Sequence, residues 1–360
     1  MRIVIAACGS LGHLNPALAT AEEIKRAQSS AVISFIIDRK LANRHLDKVP
    51  YQYQVLSGRP SKSAFAWQNA FFLVEFIIDI FKSFRILAKI KPDYILGFGG
   101  HSSAAFIIAS SFLKIPSLIH EQNLIPGKAN KLAGYFTGHI ATSFPETEKY
   151  FNQEKVFLSG NPVSRSKFDV SPVKARTNFK LDPDLFTILV LGGSQGSNNI
   201  NKAIVTALRQ LSKDEKIKLQ VLHACGIGNK EELVNQYQEL GIFARVDEFI
   251  GQSGWALVAS DLVISRAGAG TITELSYAKR PVILIPFKYA GGHQAKNARN
   301  LKSSKSAIVI EEDELDQERL ISELRNLIDD PIKREELSAN IFQHHNPKAA
   351  EIIAQKALKA

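Results

Sequence analysis

The chain has 360 residues, 45% of them hydrophobic, with 22 glycines and 14 prolines, enough for two globular domains that each bury a core. Its formal net charge of +10 favours acidic partners, but the sequence has no zinc-finger spacing, no RNP-type aromatic strand and no long Lys/Arg block, which argues against nucleic acid. Only Cys8 and Cys225 occur, one per half, so a disulfide framework and a cysteine zinc site are excluded. The strand-like start after Met1-Arg2 lacks the pattern of a signal peptide, so a reduced, unexported protein is expected.

In chain order, Ile3 to Ala7 predicts the first strand and Leu14 to Ala27 a helix with Pro16 in its first turn. Ala31 to Ile37 predicts the second strand, ending at Asp38, and a mixed stretch follows. Ala64 to Ile90 is apolar enough to suggest a membrane span, but Glu75, Asp79, Lys82 and Arg85 interrupt it regularly, so an amphipathic helix or helix pair is expected. Tyr94 to Gly97 is a strand running into Gly99-Gly-His101, Ser103 to Phe112 a helix, and Pro116 to Ile119 a strand running into His120-Glu-Gln-Asn123. Each polar cluster falls where a parallel strand ends, the place where open α/β sheets bind ligands.

Gly160-Asn-Pro-Val163 closes the first half, and the polar stretch from Ser164 to Asp184 reads as a linker. Strands are predicted at Thr187 to Leu191, Leu219 to Ala224, Ala244 to Glu248, Leu262 to Ile264, Val282 to Ile285 and Ala307 to Ile310. Pro281 and Pro286 bracket the fifth of these. Pro347 to Ala360 predicts an amphipathic helix that packs on either half. The expected division is therefore 1–163, 164–346 and a terminal helix over 347–360, an α/β protein of two Rossmann-like halves.

Gly9-Ser10-Leu11-Gly12-His13 is a turn that brings backbone N–H groups toward phosphate, although it is neither a Walker sequence nor a full G-x-G-x-x-G. At a helix start the dipole disfavours imidazolium and so keeps His13 a neutral base; a histidine that caps or packs there is the alternative. Gly192-Gly-Ser-Gln-Gly196 repeats the strand–turn–helix pattern in the second half, and two such turns facing each other would make a cleft. Ser265-Arg-Ala-Gly-Ala-Gly-Thr-Ile-Thr-Glu274 carries the strongest local signal: backbone N–H groups for a diphosphate, then a carboxylate one turn on that can accept from two ribose hydroxyls. A capping box between Thr271 and Glu274 competes with, or accompanies, that reading. Gln294 offers an amide for sugar hydroxyls. Asp182-Pro-Asp184 matches a metal-holding D-x-D string but reads as a turn, so neither metal nor cofactor is expected.

These residues, in this order, resemble the MurG family, which moves N-acetylglucosamine from UDP-N-acetylglucosamine to undecaprenyl-pyrophosphoryl-N-acetylmuramoyl-pentapeptide. The resemblance covers nearly the whole chain and rests on Gly97-Phe-Gly-Gly-His101, His120-Glu-Gln-Asn123, Gly160-Asn-Pro-Val163, Gly192-Gly-Ser-Gln-Gly196, Ser265-Arg-Ala-Gly268 with Thr271 and Glu274, and His293-Gln294. It implies a GT-B fold with parallel sheets facing a central cleft, and inversion at the anomeric carbon without a metal. By position, donor contacts fall on Ser10, Leu11, Gly12, Asn123, Ser194, Ile250, Ala269, Gly270, Thr271, Ile272, Thr273, Glu274 and Gln294. Ile250 would meet uracil through its backbone, Ser194 and the turn from Ala269 the diphosphate, Glu274 the ribose, and Asn123 with Gln294 the sugar. Gly99, Gly100, His101, His120 and Glu121 are the acceptor candidates, and His13 the base candidate or a pyrophosphate ligand.

Two departures from the family pattern matter. Cys8, Ser10 and Leu11 stand where the family's first loop has its first Gly, its Thr and a middle Gly, Leu11 placing a side chain where close backbone approach is expected; and Ser164 stands where the family has Arg, so either Ser164 or the following Arg165 is the nucleotide contact. The implied partners are the two substrates, an anionic membrane surface and other cell-wall synthesis proteins, with no nucleic acid, and the implied location is peripheral, on the cytoplasmic face of a bacterial inner membrane. Phe71, Phe72, Ile78, Phe81 and Phe84, accompanied by Lys82, Arg85, Lys89 and Lys91, form the candidate membrane patch, against the alternative that these phenylalanines are core. Rival readings are another lipid-directed transferase of the same fold, a sugar-nucleotide epimerase, and a non-catalytic sugar-nucleotide or lipid-carrier binding subunit.

Overall fold

The structure, a computed structural model, describes residues 1–46, 49–57, 66–193, 196–288 and 292–359. The chain divides into two compact units, Met1–Ser164 with Asn346–Ala360, and Arg165–His345.

In the first unit, strands β1 (Arg2–Ala6), β2 (Val32–Asp38), β3 (Gln52–Leu56), β4 (Tyr94–Gly97), β5 (Ser117–Glu121), β6 (His139–Thr142) and β7 (Val156–Leu158) form one parallel sheet in the order β3-β2-β1-β4-β5-β6-β7. Its helices are α1 (Leu11–Ala27), α2 (Arg39–His45), α3 (Ala66–Ile90), α4 (His101–Phe112) and α5 (Lys128–Phe136). Because side chains alternate along a strand, Ile3 and Ile5 enter the core layer that holds Leu14, Ala17 and Ile24 of α1. Val4 and Ala6 enter the opposite layer with Leu87 of α3, Phe106 of α4 and Ala133 of α5. A sheet covered on both faces needs apolar residues at consecutive strand positions, which is why these strands read as unbroken hydrophobic runs.

The second unit repeats the plan. Strands β8 (Phe186–Leu191), β9 (Leu219–Ala224), β10 (Phe243–Asp247), β11 (Leu262–Ser265), β12 (Val282–Leu284) and β13 (Ile308–Val309) pair in the order β10-β9-β8-β11-β12-β13, all parallel. Helices α6 (Pro172–Asn178), α7 (Asn198–Arg209), α8 (Lys213–Lys216), α9 (Lys230–Glu239), α10 (Ser253–Ala259), α11 (Ala269–Ala278), α12 (His293–Ser303), α13 (Gln317–Asp329) and α14 (Pro331–Phe342) surround it. Ile188 and Val190 pack toward α7, α9 and α13, and Leu189 toward α10, α11 and α12. The last helix, α15 (Ala349–Leu358), returns to the first unit, where Ile353, Ala354 and Ala357 join the core beside α1.

Several expectations change in detail. Helix α1 starts at Leu11, so Pro16 is its sixth residue and not in its first turn; the proline leaves the Gly12 carbonyl without its helical N–H partner. From Ala66 to Ile90 the Phe-rich stretch is one helix, α3. Strands β3, β6 and β7 were not predicted. The unit boundary falls after Ser164 and again after His345.

Candidate functional site

In the first unit the strand order reverses between β1 and β4, and the loops after β1, β4 and β5 lie at one sheet edge. Gly100, the N-cap of α4, has φ 91° and ψ 157°, and a Cβ there would collide with the Cys8 carbonyl. This close crossing sets the loop after β4 directly on the loop after β1. His13 packs into the same crossing: a Cβ on Gly99 would stand 2.9 Å from its Nε2.

The His13 Nδ1–H donates to the Cys8 carbonyl, which fixes the tautomer and leaves Nε2 as a bare acceptor. Desolvation lowers the His13 pKa against the opposing bond to Cys8, so the ring is neutral at pH 7. Ser10, exposed at the start of α1, places its hydroxyl 3.5 Å from His13 Nδ1. The Leu11 side chain packs partly into the core beneath the loop, with Gly12 beside it in the first turn of α1. His101 opens α4, half-buried, with its pKa lowered by desolvation.

The cluster after β5 is built inward. Glu121 is buried and accepts from the Asn123 backbone (2.9 Å) and side chain (3.1 Å) on one oxygen, and from Gly127 N–H (3.1 Å) and Asn130 (2.9 Å) on the other. It holds the 122–127 loop in shape. His120 is buried, with Nε2 3.1 Å from the Gly160 carbonyl and Nδ1 lacking a hydrogen-bond partner among the described residues; desolvation lowers its pKa to about 4. Ser164 is buried and donates to Glu22 at 2.5 Å, so its hydroxyl is already engaged, whereas Arg165 is exposed at the start of a 3-10 turn, Arg165–Phe168.

In the second unit the loops after β8, β11 and β12 share the corresponding edge, with the order reversing between β8 and β11. Ser194 lies outside the described residues. Gly196 has φ 75°, and a Cβ there would lie 2.5 Å from Gly226 Cα. Helix α11 starts at Ala269 with Gly268 as N-cap and no side-chain cap. Thr271 is therefore the third helical residue rather than the N-cap, and the capping-box reading of Thr271 with Glu274 does not hold. The first-turn N–H groups of Ala269, Gly270 and Thr271 have no acceptor within the helix, and among the described residues nothing beyond the helix's own backbone and the chain neighbours lies within 4 Å of where a Gly270 Cβ would be.

Along α11, Ala269, Ile272 and Thr273 are buried, Thr273 bonding back to the Ala269 carbonyl at 2.9 Å. Gly270, Thr271 and Glu274 share the half-buried face. Glu274 lies 3.5 Å from Lys167, a residue that sequence reasoning passed over. The Gln294 oxygen accepts from Phe287 N–H at 3.0 Å, and Ile250 buries its side chain in the core next to α10. Asp182 accepts from Asp184 N–H at 2.8 Å, the turn expected of that string.

Arg266 lies within the glycine motif that follows β11. It is buried and donates to the Ile285 carbonyl (3.1 Å), Ser197 Oγ (2.7 Å) and Glu312 (2.6 Å), bracing the loops after β8, β11 and β12 against one another. A charged residue directly after the apolar β11 was the available signal.

On α3, Leu73, Val74, Ile77, Ile78 and Phe81 are exposed, Phe81 at 65%, and Phe112 at the end of α4 is 69% exposed. Lys82, Arg85, Lys89 and Lys91 are exposed too, while Phe84 is half-buried with its ring 6.2 Å from that of Phe112. The side chains of Phe71 and Phe72 lie outside the described residues. Among the described residues no helix is long and apolar enough to cross a membrane.

Residues 3–142 match the family described as "Glycosyltransferase family 28 N-terminal domain" and residues 187–353 the "Glycosyltransferase family 28 C-terminal domain". A protein of Thermodesulfovibrio yellowstonii named UDP-N-acetylglucosamine--N-acetylmuramyl-(pentapeptide) pyrophosphoryl-undecaprenol N-acetylglucosamine transferase is 34% identical, covering 99% of this chain and 98% of its own. A protein of the same name from Geobacter metallireducens is 33% identical over the same shares. Among solved structures, Acinetobacter baumannii MurG is similar with a TM-score of 0.77 and 25% identity, over 100% of this chain and 99% of that one. The UDP-GlcNAc 2-epimerase of Neisseria meningitidis, at TM-score 0.73 and 15% identity, shares the fold alone. With both family domains matched and relatives aligned along its whole length, the chain belongs to glycosyltransferase family 28 and, within it, to the MurG family.

Proposed function

We propose that the protein is an inverting glycosyltransferase that moves N-acetylglucosamine from UDP-N-acetylglucosamine to the C4 hydroxyl of undecaprenyl-pyrophosphoryl-N-acetylmuramoyl-pentapeptide, converting lipid I to lipid II in peptidoglycan synthesis. The observation that carries the reading, in a chain of this family, is the open first turn of α11 with Glu274 one turn further on the same half-buried face. The N–H groups of Ala269, Gly270 and Thr271 take the diphosphate, with Ser194, and Glu274 takes the ribose hydroxyls. The Ile250 backbone meets uracil; Asn123 and Gln294 meet the sugar; Arg165, exposed where Ser164 is not, is the nucleotide contact of that pair.

The acceptor C4 hydroxyl oxygen attacks the anomeric carbon on the face opposite the diphosphate. The bond from that carbon to the phosphate oxygen breaks, and its electron pair leaves with UDP, stabilised by the helix N-terminus. The hydroxyl proton goes to His13 Nε2. A neutral ring that already donates through Nδ1 offers only an acceptor at Nε2, which suits a hydroxyl and not a pyrophosphate oxygen, and this favours the base role. Ser10, Leu11 and Gly12, with Gly99, Gly100 and His101, supply the surrounding loop surface, while His120 and Glu121 hold the neighbouring loop in shape. No metal ion is invoked.

Glu274→Ala should raise the Kd for UDP about tenfold to a hundredfold, the loss of a charge-assisted contact worth roughly 1.5–3 kcal/mol, and leave acceptor affinity unchanged. Calorimetric titration with UDP reads this directly; an unaltered Kd would remove the ribose role.

A lipid acceptor presents its sugar at a bilayer surface, and the exposed apolar face of α3, with Lys82, Arg85 and Lys89 exposed on the same helix and Lys91 just after it, supports peripheral attachment to the cytoplasmic face of the bacterial membrane, where other cell-wall synthesis proteins are the further partners. Sedimentation with anionic vesicles should be salt-sensitive and weakened by charge reversal at Lys82 and Arg85 without loss of folding. Equal sedimentation with neutral and anionic vesicles would detach this face from the mechanism.

A further inference from the structure

The pair between Lys167 and Glu274 is unusual in what surrounds it. Lys167 sits on the 3-10 turn Arg165–Phe168, and that turn is fixed without its ammonium group. Gly254 of α10 lies so close to the Lys167 carbonyl that any Cβ at 254 would collide with it, and the Phe168 ring packs on Tyr277 of α11 at 4.5 Å. The Lys167 ammonium group, 3.5 Å from Glu274 with the two side chains 34% and 14% exposed, takes part in neither of these contacts. The turn is therefore clamped by backbone and ring packing, and the Lys167 side chain is left to act on Glu274.

We propose that Lys167 positions Glu274 and thereby sets this site's preference for a ribose over a 2′-deoxyribose nucleotide. The inference rests on the reading above that Glu274 accepts from the ribose hydroxyls. A glutamate on a helix face has three side-chain torsions, and a carboxylate left to rotate would present its lone pairs to two neighbouring hydroxyls only part of the time. Lys167 Nζ, 3.5 Å from Oε1, restricts that rotation from one side. The other lone pairs of the carboxylate are left to accept from a ligand on the half-buried face that Glu274 shares with Gly270 and Thr271. A 2′-deoxyribose leaves one of these acceptors without a donor, and the penalty is largest when the carboxylate is held and cannot turn to find another.

The test is the ratio of Kd values for 2′-deoxy-UDP and UDP, measured by calorimetry on the full chain with melting temperature as a control. The ratio should be about tenfold to a hundredfold in the unaltered protein. Lys167→Met should lower it to about threefold or less, mainly by weakening UDP, with little change in melting temperature, and Lys167→Arg should retain most of it. Lys167→Gln serves as a second variant should the methionine protein melt early. In Glu274→Ala the ratio should collapse, and adding Lys167→Met to it should change nothing further. If Lys167→Met and Lys167→Gln keep the full ratio while Glu274→Ala loses it, the role of Lys167 is wrong and the ribose contact stands. If Glu274→Ala also keeps the ratio, the ribose contact itself falls.

Discussion

His13→Ala is expected to lower kcat by about 10²–10⁴-fold while the Kd for UDP-N-acetylglucosamine changes little. The asymmetry follows from the geometry. His13 Nδ1 is committed to the Cys8 carbonyl, so the ring can act only through Nε2, and the proton it takes is released only as the acceptor hydroxyl becomes a nucleophile. Nothing in that role stabilises the bound donor beforehand. The pH dependence has a definite sign. Burial lowers the His13 pKa, so the neutral ring survives to lower pH than an ordinary imidazole, and the acid limb of kcat/KM should have its midpoint below about 6.5, with activity rising as pH increases through it. In His13→Ala that limb should vanish along with most of the rate. A variant with near-normal turnover per folded molecule and a lowered melting temperature would make His13 a packing residue.

Gly100→Ala should destabilise the first unit by more than about 4 kcal/mol, in the range that marks backbone strain and steric overlap together. The N-cap of α4 adopts φ 91° and ψ 157°, a conformation open essentially to glycine, and the new Cβ would strike the Cys8 carbonyl and approach Cys8 Cβ to 2.8 Å. Relief would require separating the loops after β1 and β4, the same crossing that seats His13. Gly127→Ala is the control: φ is −64° and, its chain neighbours aside, nothing among the described residues lies within 4 Å of its Cβ position, so stability should stay within about 0.5 kcal/mol. Urea unfolding of the two variants reads the contrast, and equal stabilities would contradict the loop crossing.

The fold is legible in the sequence wherever burial on both faces demands a continuous apolar run. The bounds expected for Tyr94 to Gly97 and Leu219 to Ala224 are those of β4 and β9. It is illegible where that demand lapses. β3 is an edge strand whose Gln52, Tyr53, Gln54 and Val55 are all exposed, β7 at the other edge has no buried residue, and β6 carries only Ile140 and Ala141 as apolar residues between His139 and Thr142.

The site divides in the same way. Its loops announce themselves because a turn at Gly100 or Gly196 admits no other residue, but partners distant in the chain leave no local mark. Lys167 beside Glu274, Arg266 against Ser197 and Glu312, and His120 on Gly160 follow from the order of the strands, not from any motif. The periodicity of α3 marks it as amphipathic without saying which side is which. α3 packs on α4, and in the structure Phe84 is half-buried while Ile78 and Phe81 stay exposed.

The most direct test of the transferase reading is incubation of the protein with radiolabelled UDP-N-acetylglucosamine and a short-chain analogue of the undecaprenyl-linked muramoyl-pentapeptide, following lipid-linked label and UDP release together. The expected result is one UDP released per disaccharide formed, with the new bond β-configured from the α-configured donor and no release in the absence of acceptor. Release of UDP or formation of an epimerised sugar nucleotide without acceptor, and no label on the lipid, would contradict it.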